Sequence, residues 1–124
     1  MPSATLIAEA TRRSGAVWVG LPQEQPSLLW HVWHDGAAYV VGGGPEQHLP
    51  VGPGDRALVV VRSKAAQAGV VVEWPASVEA VLPETPLWEQ VVPLLAAERL
   101  NAEAGRAGRW AKESSVLRLS PVPD

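Results

Sequence analysis

At 124 residues with a net charge of −3, the chain has the size of one compact domain, 1–124, and is too small for a nucleotide-binding domain plus a partner. The mild acidity, with a pI of about 5.6, excludes a general phosphate-backbone binder, which needs a basic face, so no nucleic-acid partner is expected. The absence of cysteine excludes disulfides, thiolate metal centres and cysteine nucleophiles.

The N-terminal stretch has no basic start followed by a long apolar run, and no segment approaches the ~18 apolar residues of a membrane span. A cytoplasmic protein without a membrane partner is the expectation. Residues 3–14 read as a helix, with Ser3 as cap, Leu6, Ile7 and Ala10 as its apolar stripe, and Arg12 and Arg13 in the last turn before Gly15. "AVWVGL" (16–21) is a short strand and "PQEQPS" (22–27) a turn-rich loop.

Two strand-like runs, 28–34 and 37–42, flank Asp35-Gly36, the strongest short-range hairpin signal. Residues 45–55 form a connection with room for one helical turn. "RALVVVRS" (56–63) is an apolar strand expected to be buried on both faces. Residues 70–82 alternate strictly. Val70, Val72, Trp74, Ala76, Val78, Ala80 and Leu82 fall on one face, and Val71, Glu73, Pro75, Ser77, Glu79 and Val81 on the other, expected to face solvent. Pro75 calls for an edge or a bulge. Thr85-Pro86 starts a helix to about residue 100 that Pro93 should kink. The polar, Gly-bearing 101–114 reads as a loop, and 115–120 as a final strand.

Most functional signals lie in "LLWHVWHDGAAYVVGGG" (28–44). On a strand Leu29, His31 and Trp33 point one way, and Trp30, Val32 and His34 the other. His31 and His34 would share a metal only on a helix, so no metal site is assigned. No G-x-S-x-G occurs. The dinucleotide fingerprint fails at Gln47, where a third glycine belongs. Gly42, Gly43 and Gly44 either let a backbone approach a ligand or form a flexible strand exit. Arg62 and Lys64 either bind a phosphate or keep a hairpin soluble. The six Trp against one Tyr and no Phe mean either an aromatic-lined pocket or interface, or a core built on indoles.

The order of these elements, and above all "PSLLWHVWHDGAAYVV", resembles the pyridoxamine 5′-phosphate oxidase-like, FMN-binding split-barrel family. "RALVVV", the long strand with "VEWPASVEAV", the helix after it and "SVLRLSP" complete the likeness over the whole chain. The resemblance implies a mainly β fold: a six-stranded antiparallel Greek-key split β-barrel with two or three flanking helices. It also implies a homodimer with one flavin per protomer, FMN or a deazaflavin, at the interface.

In FMN-binding members, basic residues just after the third strand hold the phosphate. Here Glu46 and Gln47 stand there, and a carboxylate beside a phosphate is repulsive. Arg62, Lys64, Arg109 and Lys112 are candidates to supply the missing charge. Trp30, Trp33 and Trp110 are candidates to stack on the flavin ring. With His31 and Gly42–Gly44, the expected cofactor-binding set is Trp30, His31, Trp33, Gly42, Gly43, Gly44, Arg62, Lys64 and Trp110; no catalytic residue is assigned. Two functions stay open. One is a flavin- or deazaflavin-dependent oxidoreductase of unknown substrate. The other is a cofactor-free dimeric split barrel that binds a small apolar ligand or a protein partner.

Overall fold

The structure is a computed structural model and describes residues 3–44, 46–62, 70–98 and 106–122. It contains α1 (Ala4–Arg13), β1 (Ala16–Gly20), β2 (Ser27–Trp30), β3 (Val32–His34), β4 (Ala37–Gly42), β5 (Arg56–Arg62), β6 (Val70–Val81), α2 (Pro86–Glu98), α3 (Arg106–Glu113) and β7 (Ser115–Pro121). The strands form one antiparallel sheet in the order β2-β1-β5-β6-β7-β4-β3. Its two terminal strands are consecutive in sequence, so the sheet curls into a nearly closed barrel.

The expected six strands are seven because the run 28–34 is divided at His31. Its first half pairs with β1, Ala16 opposite Trp30, and its second half with β4, Val32 opposite Tyr39. A strand that serves both ends of a curled sheet must change partner somewhere, and nothing in the composition of "WHV" marks the place. The face alternation read from the sequence nevertheless continues across the break. Leu29 and Trp33 belong to the barrel interior, while Trp30 and Val32 belong to the opposite side.

Asp35 and Gly36 both have positive φ, 46° and 80°. That is the signature of the two-residue hairpin turn this dipeptide favours. In β6 the expected core row holds for Val72, Trp74, Ala76 and Val78, all buried, with Glu73 exposed. Past the end of the barrel the row reverses. Ala80 and Leu82 are exposed and Val81 is buried under the helices. Pro75 behaves as its missing N–H requires. Its carbonyl accepts from Val122 (2.9 Å), so the absent donor faces the side on which pairing with β7 begins only at Ala76.

Two cores share the sheet. The inner one fills the barrel with Val17, Val19, Leu29, Val40, Val59, Val61, Trp74, Leu117 and Leu119, and α1 closes one mouth with Ile7. Ser3 caps α1, its hydroxyl accepting from the Leu6 amide (3.1 Å). The outer core lies between the outward side of β3, β4 and β7 and helices α2 and α3, and contains Tyr39, Val41, Trp88, Val91, Leu95 and Trp110.

Helix α3 was not expected. The stretch 101–114, with two glycines and high charge, reads as a loop, but one indole, Trp110, fully buried, anchors the helix. Among the described residues of 46–55 no helical turn forms; the connection has a bridge between Gly42 and Gln47 and a turn closed by the Asp55 amide on the Gly52 carbonyl. Pro93 lies inside α2, on its exposed side.

The outward side of β1, β2 and β5 has no helix over it among the described residues. Leu28, Trp18 and Val60 stand side by side in register across β2, β1 and β5, and Leu58 stands opposite Pro75 one row further on. Leu28 is 54% exposed and Leu58 37%. The strand β5, expected to be buried on both faces, is therefore buried on its inner face, with Arg56, Leu58 and Arg62 exposed on the other.

Candidate functional site

Of the nine residues expected around a cofactor, the eight described ones do not form one site, although His31 and Trp33 share a cleft of about 350 Å³ with Arg12 and Arg13. Trp110 is wholly buried between α2, α3 and the sheet. Trp33 leans into the barrel, edge-on to Trp74 with ring centroids 6.1 Å apart. His31, 5% exposed, donates from Nε2 to the Thr11 carbonyl (2.9 Å). Because a carbonyl only accepts, Nε2 carries the proton and Nδ1 is the bare nitrogen. Nδ1 is buried without a partner. Burial pushes the His31 pKa below its ordinary 6.5, against smaller opposing effects of the Thr11 carbonyl and the Glu98 charge. Trp74 Nε1 donates to the Thr11 hydroxyl (3.2 Å), so Thr11 ties α1 to both the strand break and the barrel floor.

Trp30, Gly42 and Gly43 do come together, around Gln47. The Gln47 side-chain oxygen accepts from the Trp30 amide, and its nitrogen donates to the carbonyls of Trp30 and Val41, all at 3.1 Å. The Gly43 amide donates to the Gln47 carbonyl (2.8 Å). The side chain of Gln47 thus fills the gap between β2 and β4 that the strand break opens. The glycines are close-approach positions, but the chain itself fills the space. A Cβ on Gly42 would strike the Gln47 carbonyl and the Leu49 side chain. One on Gly44, at φ +58°, would lie 2.5 Å from the Glu113 carbonyl. A phosphate at this strand exit would meet a carboxylate at 46 and an amide at 47 that already makes three hydrogen bonds. These residues do not fit an FMN phosphate.

Arg62 stands on the other wall, and Lys64 lies outside the described residues. The register of β5 on β6 shifts between Val61 and Arg62, an irregularity of the kind that re-aims a side chain. The Arg62 guanidinium sits over the Trp18 indole, 5.9 Å from its centroid. Around this pair runs a cleft of about 560 Å³ lined by Arg13, Ser14, Ala16, Trp18, Leu28 and Arg62. A smaller cleft of about 260 Å³ adjoins it and shares Arg13, Ser14 and Arg62. Arg12 and Arg13 are both paired with Glu9, at 2.9 and 3.1 Å, on the exposed side of α1. Among the described residues no group of His, Asp or Glu is placed to hold a metal, and no helix is long and apolar enough to cross a membrane.

Arg13, Trp18 and Leu28 were not singled out as site residues by sequence reasoning, and Gln47 was singled out only as a departure from the glycine and basic residues expected there. The first three become neighbours only once α1, β1, β2 and β5 are assembled, and Gln47 gains its meaning from a strand break that the sequence does not mark.

The whole chain superposes on HutZ, the heme storage protein of Vibrio cholerae, with a TM-score of 0.63 over 100% of this chain and 93% of that one. The fold is a split barrel. Rv2991, a conserved hypothetical protein of Mycobacterium tuberculosis, gives 0.65 over 99% and 82% of the two chains. The FAD-binding protein mll6688 of Mesorhizobium loti gives 0.59 over 98% and 90%. Sequence identities are 14%, 15% and 14%, so the likeness is one of fold. No family model and no curated protein matches the chain.

Proposed function

We propose that the chain is a cytoplasmic split-barrel protein of the pyridoxamine 5′-phosphate oxidase-like kind. In this reading it works as a homodimer, binds a flavin or deazaflavin, and serves as an oxidoreductase through that cofactor. The observation that carries the reading is the uncovered wall. Helices cover the outward side of β3, β4 and β7, whereas among the described residues no helix covers the outward side of β1, β2 and β5, where Leu28 and Leu58 are exposed and Trp18 and Pro75 half-exposed beside them. Water tolerates scattered apolar residues, but a registered row flanked by a cleft is what a second copy and a ligand would cover together. The cleft at its margin has the chemistry of a planar, anionic ligand: an indole, an aliphatic neighbour in Leu28, and guanidinium groups at Arg13 and Arg62. Two solved chains with this fold are a heme storage protein and an FAD-binding protein, and both ligands carry a planar ring system and anionic groups.

A flavin or deazaflavin, when bound, supplies hydride transfer, and the protein supplies placement and electrostatics. Trp18 and Leu28 would border the ring, and the cleft's arginines would neutralise its charge.

Titration of the purified protein with FMN, and separately with a deazaflavin, tests the proposal. Saturable quenching of tryptophan fluorescence is expected, because Trp18 borders the cleft. Light scattering at micromolar concentration should give twice the 13.2 kDa chain mass, and Leu28→Asp, which places a charge in the uncovered row, should give monomers. A colourless monomer with no saturable quenching at high micromolar cofactor would end the proposal. One observation favours a second reading, the cofactor-free dimeric module: Gln47 occupies the gap beside the strand exit where family members hold the phosphate. A dimer that binds neither cofactor would select it.

A further inference from the structure

An FMN phosphate is close to a dianion at neutral pH and needs donors that are positive, planar-forked or both. The exit of β4 offers a carboxylate and an engaged amide. The corner where α1 meets β1 offers the reverse. Arg13 comes from the last turn of α1 and Arg62 from the end of β5. Both line the two adjoining clefts, and they share the intervening Ser14. Arg62 makes no ion pair among the described residues; its guanidinium rests on Trp18. Arg12 and Arg13, adjacent in sequence, both pair with Glu9, and Arg62 lines the smaller cleft with Glu9 and Arg13, in a chain whose net charge is negative. Both clefts lie beside the uncovered wall, so a ligand whose ring lies along Trp18 and Leu28 has its charged arm within this corner.

We infer that Arg13 and Arg62 form the subsite for the phosphate or other anionic arm of the ligand, so that in this barrel the anion site stands at the α1–β1 corner and not at the exit of β4. The inference rests on the proposed cofactor binding and adds to it a location, a charge and a competitor. The competitor is Glu9, which holds Arg13 through Nε at 3.1 Å and must yield at least part of that pairing when an anion arrives.

Riboflavin and FMN share a ring and differ by the phosphate, so the ratio of their dissociation constants isolates the subsite. It can be read from tryptophan quenching without any enzymatic assay. The wild-type protein should bind FMN at least about tenfold more tightly than riboflavin, the size of one charge-assisted hydrogen bond. That ratio should shrink as salt is raised, since the corner is exposed. Arg62→Gln and Arg13→Gln should each bring the ratio toward one while leaving riboflavin binding within about twofold, which also shows that the variants are folded. Arg56→Gln, at the far end of β5, should leave the ratio unchanged. Glu9→Gln should raise it, because the carboxylate no longer competes; a purely structural role for Arg13 predicts no such gain. Equal binding of riboflavin and FMN to the wild-type protein would overturn the subsite and leave the cofactor reading standing. A large ratio insensitive to Arg13 and Arg62 but increased by Glu46→Gln would place the phosphate at the β4 exit and overturn the inference. Failure of both flavins to bind would remove both.

Discussion

The amide of Gln47 gives the sharpest test of how this barrel closes. Removing it with Gln47→Ala deletes three hydrogen bonds to main chain, two of them to Trp30 and one to Val41. At a net ~0.5–1.5 kcal/mol each, and with half-buried partners that water can partly reach, the loss is about 2–4 kcal/mol. That is a large share of the ~5–15 kcal/mol that holds an ordinary domain together. Gln47→Glu keeps the shape and the bond from the Trp30 amide but turns the donor nitrogen into an oxygen facing two carbonyls. At pH 7 it should therefore cost at least as much as the alanine variant. The two carbonyls and partial burial raise the introduced carboxyl's folded pKa above the unfolded value. The stability of its protonated form is then fully present below the unfolded pKa, and is lost as pH rises through the folded pKa. Urea melts followed by tryptophan fluorescence should show Gln47→Glu recovering toward wild type as pH falls from 7 to about 4, with no such recovery in Gln47→Ala. If Gln47→Ala lies within about 0.5 kcal/mol of wild type, or if the glutamate variant is the more stable at pH 7, the side chain does not close the split.

Two further predictions concern the core. Trp74, fully buried and bonded to Thr11, should cost about 3–5 kcal/mol on Trp74→Ala, whereas the exposed Glu73 should cost within about 0.5 kcal/mol on Glu73→Ala; equal costs in denaturant melts would mean a different strand register. His31 has a folded pKa below its ordinary 6.5 because it is buried, so the stability it confers is fully present above about 6.5 and is lost as pH falls through the folded value. His31→Gln should flatten that part of the pH–stability curve, and a wild-type curve that rises on acidification across this window would refute the assignment.

What the sequence disclosed and what it hid follow from the range of the interactions involved. Local rules placed the Ser3 cap, the Asp35-Gly36 turn, the Thr85-Pro86 helix start and the alternating strand around Trp74, because each depends on residues a few positions apart. Helix α3 escaped because it is held by one buried indole, too little to set a period. The division at His31 escaped because it is imposed by closure of the sheet, a property of all the strands at once. The same holds for the candidate site. Trp30, His31 and Trp33 attract notice as a cluster, yet alternation leaves His31 and Trp33 on one cleft and sends Trp30 to the opposite side, beside Gln47. Arg13, Trp18 and Arg62 look unrelated at positions 13, 18 and 62 until pairing of β1 with β5 sets them side by side.

The strand division at His31 has a bearing on how this protein behaves when crowded with copies of itself. A sheet that ends in two separate strands leaves two rows of bare peptide groups, each an invitation to pair with a neighbouring molecule or to exchange a strand with it. Here the first and last strands are joined by one covalent residue, and the primary amide of Gln47, chemically a peptide group on a tether, is bonded to Trp30 where the row would otherwise begin. At Trp30 the split is bridged by the chain's own connectivity. Association is thereby directed to the outward faces of side chains, where it is selective and reversible, and away from main-chain templating, the route by which β proteins form fibres.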